Sequence, residues 1–313
     1  MCGVFHGARS MSNSLSIASK ATDASGPWPF VTVVNFERAG QHITWQARSH
    51  RKGLGNTAQS ETKIACGGHI PIWQTNKYNW LIGGFFSVGA LLFMLGSFFS
   101  ILPEGWPAPS IFHINLLFFV GCIPLTIAIY LQHFQSANST HPPSRQAEVD
   151  ALLARCGRKG EGQRPRIALI GWYPASAGWL STFTQLLGVI LFDFDTWDAL
   201  YTSSVWYEQD VAVWAPDMIG SVLFLLSGYI AFIETCGGYW VWRPDSQAWR
   251  IVFINLVGCI AFMVSAVLAF VPIGTDPRSL LVLSALNLLI GASCFYVTSR
   301  ISMRESWQAA SPA

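Results

Sequence analysis

Few side chains in this sequence combine chemical capacity with an apolar setting. Asp193, Asp195 and Asp198 crowd the end of one apolar run, and Asp217 and Glu234 bracket another. An ionisable group inside a membrane segment is costly and tends to mark a proton or cation path. All of these acids fall near run ends, none at mid-depth. Asp195 is the best candidate functional acid, because it shares a helix face with Gly188 and Phe192. Together with Glu208 and Asp210, the three aspartates make an acidic loop that would attract cations. Three amides, Gln185, Asn255 and Asn287, each stand one turn before a glycine. They are suited to bond between helices or to line a polar path. Gln185, Asp195, Asn255 and Asn287 are thus the candidate polar path.

Other chemistry finds no footing. There is no HExxH, GxSxG, phosphate-binding glycine loop or CxxC, so an enzyme is not expected. His113 and His133 lie at opposite ends of one run and cannot share a metal. The seven cysteines (Cys2, Cys66, Cys122, Cys156, Cys236, Cys259 and Cys294) are scattered without paired spacing, and read as small packing residues. No metal and no cofactor is expected. A net charge of +2 is too small to imply nucleic acid.

These residues must be positioned by a membrane fold. Only 12% of the 313 residues are charged and 51% are hydrophobic, whereas soluble domains carry about a quarter charged residues. Lipid is the expected solvent. Six apolar runs, near 79–101, 111–132, 178–197, 214–234, 250–271 and 279–299, are long enough to span a bilayer. Trp80, Tyr130, Trp179, Trp197, Trp214, Tyr239 and Trp249 mark their ends as an aromatic belt. The expected fold is all-α: a six-helix transmembrane bundle of repeated two-helix units.

Lysine and arginine set the topology. All 19 except Arg278 fall in segments that six spans place on one side. Both termini are therefore expected in the cytoplasm, in a plasma or endomembrane rather than a mitochondrial one. The chain divides into an N-terminal region 1–77, a first hairpin 78–132, a linker 133–177, a four-helix region 178–300 and a tail 301–313. Residues 1–27 are Ser-rich and expected to be disordered. Two β-prone runs flank Gly40 and predict a hairpin over 30–46. The basic cluster Arg48, Arg51 and Lys52 reads as a solvated charge run, with anionic lipid headgroups as the sharper alternative. The linker predicts a short helix over 144–155, and the sequon at Asn138 is expected to stay unused.

A motif recurs in all six spans. Aligned on glycine, they read Gly89-Ala90 then Phe93 and Gly96; Gly121-Cys122 then Leu125 and Ala128; Gly188-Val189 then Phe192 and Asp195; Gly220-Ser221 then Phe224 and Ser227; Gly258-Cys259 then Phe262 and Ser265; and Gly291-Ala292 then Phe295 and Thr298. The glycine, the ring four residues on and the residue seven on share one face. Lipid supplies little hydrophobic drive between helices, so close approach at small residues is the packing device. The ring of one helix is expected to fill the notch beside a glycine of another.

These glycine–small–x–x–Phe units resemble those of uncharacterised bacterial and fungal membrane proteins with the YrhK-like domain. The likeness rests on Gly89, Phe93, Gly96, Gly220, Ser221, Phe224, Ser227, Glu234, Asn255, Gly258 and Phe262, and implies no activity. The sequence reading is a multi-pass protein of unassigned activity. Two alternatives stand beside it: a small-solute or cation transporter using the amides and the acidic mouth, and a scaffold binding partners through its cytoplasmic segments.

Overall fold

The computed structural model describes residues 20–38, 41–54, 70–103, 105–139, 167–201, 213–270 and 277–309. Among these, six helices are long and apolar enough to cross a membrane, the architecture of a multi-pass membrane protein. They are α2 (Asn76–Ile101), α3 (Ile111–Ala137), α4 (Ala177–Asp198), α5 (Ala215–Cys236), α6 (Gln247–Ala269) and α7 (Pro277–Gln308). α7 continues past the apolar run into the segment expected as tail.

Local chemistry sets the helix starts. Thr75, Ser176 and Ser246 precede α2, α4 and α6, and their hydroxyls accept from the amides of Tyr78, Trp179 and Trp249. Each satisfies an amide that the helix cannot pair internally. α5 opens with a proline and with Asp217 in its first turn, and stops at left-handed Gly237 (φ 68°), where a side chain would be strained.

Each long helix packs on its neighbours in sequence, and α7 returns to α2, so the six close into a ring. Val88, Leu95, Ile123, Val222, Ile260 and Ile290 are exposed on the ring's outside, as lipid-facing residues should be. Inside, Phe93, Leu125, Phe192, Phe224, Phe262 and Phe295 meet in one buried cluster. Phe192 touches both Phe224 and Phe262, at 5.0 and 6.1 Å between ring centroids, and Phe262 lies 5.1 Å from Phe295. A layer of rings therefore closes the centre of the bundle.

Three strands, β1 (Lys20–Ser25), β2 (Val33–Arg38) and β3 (Gln41–Gln46), form an antiparallel meander in that order. The hairpin expected over 30–46 is β2–β3, paired from Val33↔Gln46 to Arg38↔Gln41. The disorder expected over 1–27 is corrected in part, because Lys20–Ser25 adds a third strand; residues 1–19 lie outside the described ones. An isolated hairpin is marginal, and a third strand plus a packed face supplies what it lacks. Trp45 and Val34, opposite each other in register, bury that face together. The KATDAS run hides this strand from view, since Thr22 is its only β-branched residue. The hydroxyl of Tyr239, in the α5–α6 connection, donates to the Trp28 carbonyl at 2.8 Å and ties the sheet to the ring. The helix expected over 144–155 lies outside the described residues.

Candidate functional site

β3 runs straight into a short helix, α1 (Ala47–Lys52). A spacing of three and four residues puts Arg48, Arg51 and Lys52 on one face, and that face is turned into one mouth of the ring. Arg48 donates to both oxygens of Glu305 on α7, at 2.8 and 2.7 Å. Arg51 donates through Nη2 to Oε2 of Glu234 on α5, at 2.6 Å. Lys52 donates to the Ser302 hydroxyl at 2.9 Å and stands 3.9 Å from Glu305. Below them the Asn79 amide holds the Lys52 carbonyl at 2.7 Å, and Gln135 holds Asn79 at 2.9 Å. α1 is thus a cap, hydrogen-bonded directly to side chains of three ring helices, α2, α5 and α7, with Gln135 of α3 bonded behind Asn79.

The expectation of a solvated basic run is corrected by this docking. Arg48 and Arg51 are buried, and carboxylates far along the chain receive their hydrogen bonds. Buried charges need such partners. Burial works against the Arg48 cation, but Glu305 beside it more than offsets that and raises its pKa. Burial brings Lys52 down to about 7, with Arg48 adding to the effect and Glu305 opposing it.

The acids of the cap contacts occupy equivalent places. The same interval separates Gly220 from Glu234, Gly291 from Glu305 and Gly121 from Gln135, about four helical turns. Three parallel helices, α3, α5 and α7, therefore present a carboxylate or amide at one depth beneath α1.

Under the cap lies a cavity of about 110 Å³, lined by Gln185, Asn255, Gln135, Glu234, Ser299 and the α1 cations, with Phe86 and Phe295 toward the aromatic layer. Its wall is not saturated. Nε and Nη1 of Arg51 and Oε1 of Gln135 are buried without a hydrogen-bond partner among the described residues. Gln185 makes no hydrogen bond among the described residues, and Asn255 makes only a long contact of 3.9 Å to the Cys259 sulfur.

The candidate polar path is split by the phenylalanine layer. Gln185 and Asn255 face the cavity, but Asn287 sits in the other half of the bundle and bonds its own helix at the Leu283 carbonyl, 2.9 Å. Asp195 also lies beyond the layer, near Asp217 and Asp198. Asp193 accepts from the Thr126 hydroxyl at 2.8 Å; Glu208 and Asp210 lie outside the described residues. No group of three metal-ligating side chains converges among the described residues. His113 bonds Ser110 at one end of α3, while His133 is buried at the other beside Thr182.

The packing residues meet in pairs. A Cβ on Gly121 would strike Phe93, and one on Gly89 would strike Leu125. Gly188 faces Phe224 while Gly220 faces Phe192; Gly258 faces Phe295 while Gly291 faces Phe262. The exchange of notch and knob therefore recurs within the α2–α3, α4–α5 and α6–α7 hairpins. Gly96 seats Phe118. Ser227 accepts at its carbonyl from Ser181, at 2.9 Å, and Ser265 bonds Ser284 at 2.9 Å. Cys122 and Cys259 pack in the core cluster.

One repeat escapes a glycine-centred reading. Trp172, Pro174, Ser176, Trp179 and Phe183 recur at the same intervals as Trp242, Pro244, Ser246, Trp249 and Phe253. In both copies the second Trp stacks on the Phe, at 4.7 Å and 14° in the first and 4.5 Å and 12° in the second. The first Trp meets the second edge-on, and the second indole donates back to the Ile170 or Val241 carbonyl. The signal was present in the spacing Trp-x-Pro-x-Ser-x-x-Trp, just ahead of two of the spans. Comparison of the chain with protein families, curated proteins and solved structures finds no match.

Proposed function

We propose that the protein is a small-solute transporter that admits its ligand to the cavity beneath α1 and passes it on when the phenylalanine layer parts. One observation carries this reading: a cavity of about 110 Å³ with charged and amide side chains in its wall, inside a ring of lipid-facing helices and stopped at mid-height by apolar rings. Polar groups within membrane helices are costly, and where they line a cavity they mark a substrate path. Sites at the interface of repeated helix units are common in transporters. The three hairpins are copies of one two-helix unit in this reading, supported by the recurrent notch exchange and the repeated aromatic module. The lysine and arginine bias puts the cap and the cavity mouth in the cytoplasm. Kinship with the YrhK-like proteins is proposed on glycine and phenylalanine spacing alone, and brings no activity with it.

Flux of small polar solutes into proteoliposomes tests the reading. Gln185→Leu combined with Asn255→Leu removes two amides from the wall and lowers flux by about tenfold or more, the loss of one to two good hydrogen bonds. Asn287→Leu, which lies outside the cavity, leaves flux unchanged. Equal flux in all three proteins, or none in the parent across solutes of each charge, sinks it.

A further inference from the structure

Among the described residues the charges around the cavity do not balance. Arg48, Arg51 and Lys52 line it against one carboxylate, Glu234. Glu305 engages Arg48 through both oxygens, and Glu234 engages Arg51. Below about pH 7 Lys52 is a cation, and the carboxylate 3.9 Å from it, Glu305, is already held by Arg48. Arg51 is only 6% exposed yet, among the described residues, its Nε and Nη1 find no acceptor. Gln185, 7% exposed, faces the same space unbonded. Buried donors are rarely left open. These donors outnumber the one buried open acceptor of the wall among the described residues, Gln135 Oε1, and with a surplus of positive charge they fit a ligand that is negative and chiefly accepts hydrogen bonds.

We propose that the cavity binds a small oxyanion, a carboxylate or a phosphate, held by Arg51, Lys52 and the Gln185 amide. That ligand class presumes the solute-binding cavity proposed above for the bundle. A space of about 110 Å³ accommodates several waters at about 10–15 Å³ each, and an anion on the scale of acetate or phosphate replaces them. Lys52 couples binding to protons. It faces Arg48 and Arg51 from its own helix, Glu234 from α5, and Glu305 and the Ser302 hydroxyl from α7. Burial and the two arginines disfavour its charge, and an anion beside it restores that charge. Binding therefore takes up a proton and tightens as pH falls through about 7.

Calorimetric titration of the full chain in lipid-free detergent decides the matter, with inorganic phosphate, acetate, neutral acetamide and dihexanoyl phosphatidate as probes. Phosphate or acetate is expected to bind about tenfold tighter at pH 6.5 than at pH 8, with acetamide inert. Lys52→Met keeps both arginine–glutamate pairs and is expected to lose about tenfold in affinity and the pH dependence, the scale of one charge-assisted hydrogen bond. Gln185→Leu weakens binding severalfold without changing any charge. Binding of phosphatidate alone assigns the oxyanion to a lipid headgroup; binding of the free anions assigns it to a soluble ligand. If no anion binds at pH 6.5, or Lys52→Met binds as the parent does, the assignment is overturned. Acetamide binding better than acetate overturns the anion while leaving a solute cavity, and flux without anion binding separates the two proposals in the same way.

Discussion

Replacing Glu234 by glutamine should release α1 from the mouth of the ring. The Arg51–Glu234 contact is 2.6 Å long, with side chains only 7% and 3% exposed. Unit charges about 4 Å apart interact by about 4 kcal/mol at an effective dielectric constant of 20. Breaking a buried pair by removing one partner costs about 3–5 kcal/mol, because the other charge is left buried and unpaired. The two figures agree. Since about 1.4 kcal/mol is a factor of ten, the population with α1 undocked should rise by about two to three and a half powers of ten. Amide hydrogen exchange across residues 49–54 reads that opening directly, as does tryptic cleavage after Arg48 and Lys52. Arg51→Met should match Glu234→Gln. The double change to methionine at both positions should recover most of the loss, since two apolar residues leave no buried charge. Exchange in Glu234→Gln equal to that of the parent, or a double variant as open as either single one, would refute the idea that this pair holds the cap.

The knob-and-notch contacts allow a sharper packing test. Gly291→Ala would drive a methyl into Phe262 and against the Gly258 carbonyl, destabilising by about 1–3 kcal/mol. Phe262→Leu in the same chain should recover part of it, and thermal unfolding in detergent measures both. Trp179→Leu and Trp249→Leu, equivalent members of the two aromatic modules, should each cost about 2–4 kcal/mol. Trp106, which is exposed, should change stability by no more than about 0.5 kcal/mol when replaced by leucine. Lys52 gives a pH test without ligand. Its folded pKa, about 7, lies below the ordinary lysine value, so the unfolded chain holds more protons above pH 7. Stability should be flat below about pH 7 and rise toward pH 10, a rise that Lys52→Met removes.

Much of the fold is legible because membrane helices are local objects. Length, apolarity and the aromatic ends locate the starts of α2 to α7 within a few residues, since a span must satisfy its own backbone in lipid. The glycine-to-phenylalanine interval foretells a seam because it depends only on helical geometry. The third strand and the repeated Trp-x-Pro-x-Ser-x-x-Trp module were less visible, one for want of β-branched residues, the other because attention to apolar runs passes over the connections that introduce them.

The site itself is a different matter. Arg48, Arg51 and Lys52 are a charge run by composition, and nothing local distinguishes a solvated run from a buried one. Arg51 meets a carboxylate 183 residues away and Arg48 one 257 residues away. Similarly, Gln185, Asn255 and Asn287 precede their glycines alike, yet alternate helices run in opposite directions, so the first two reach the capped half and the third the other. What a single helix requires was written in its own residues; which charges and amides share a cavity was decided only when the ring closed, because that depends on direction and depth in three dimensions.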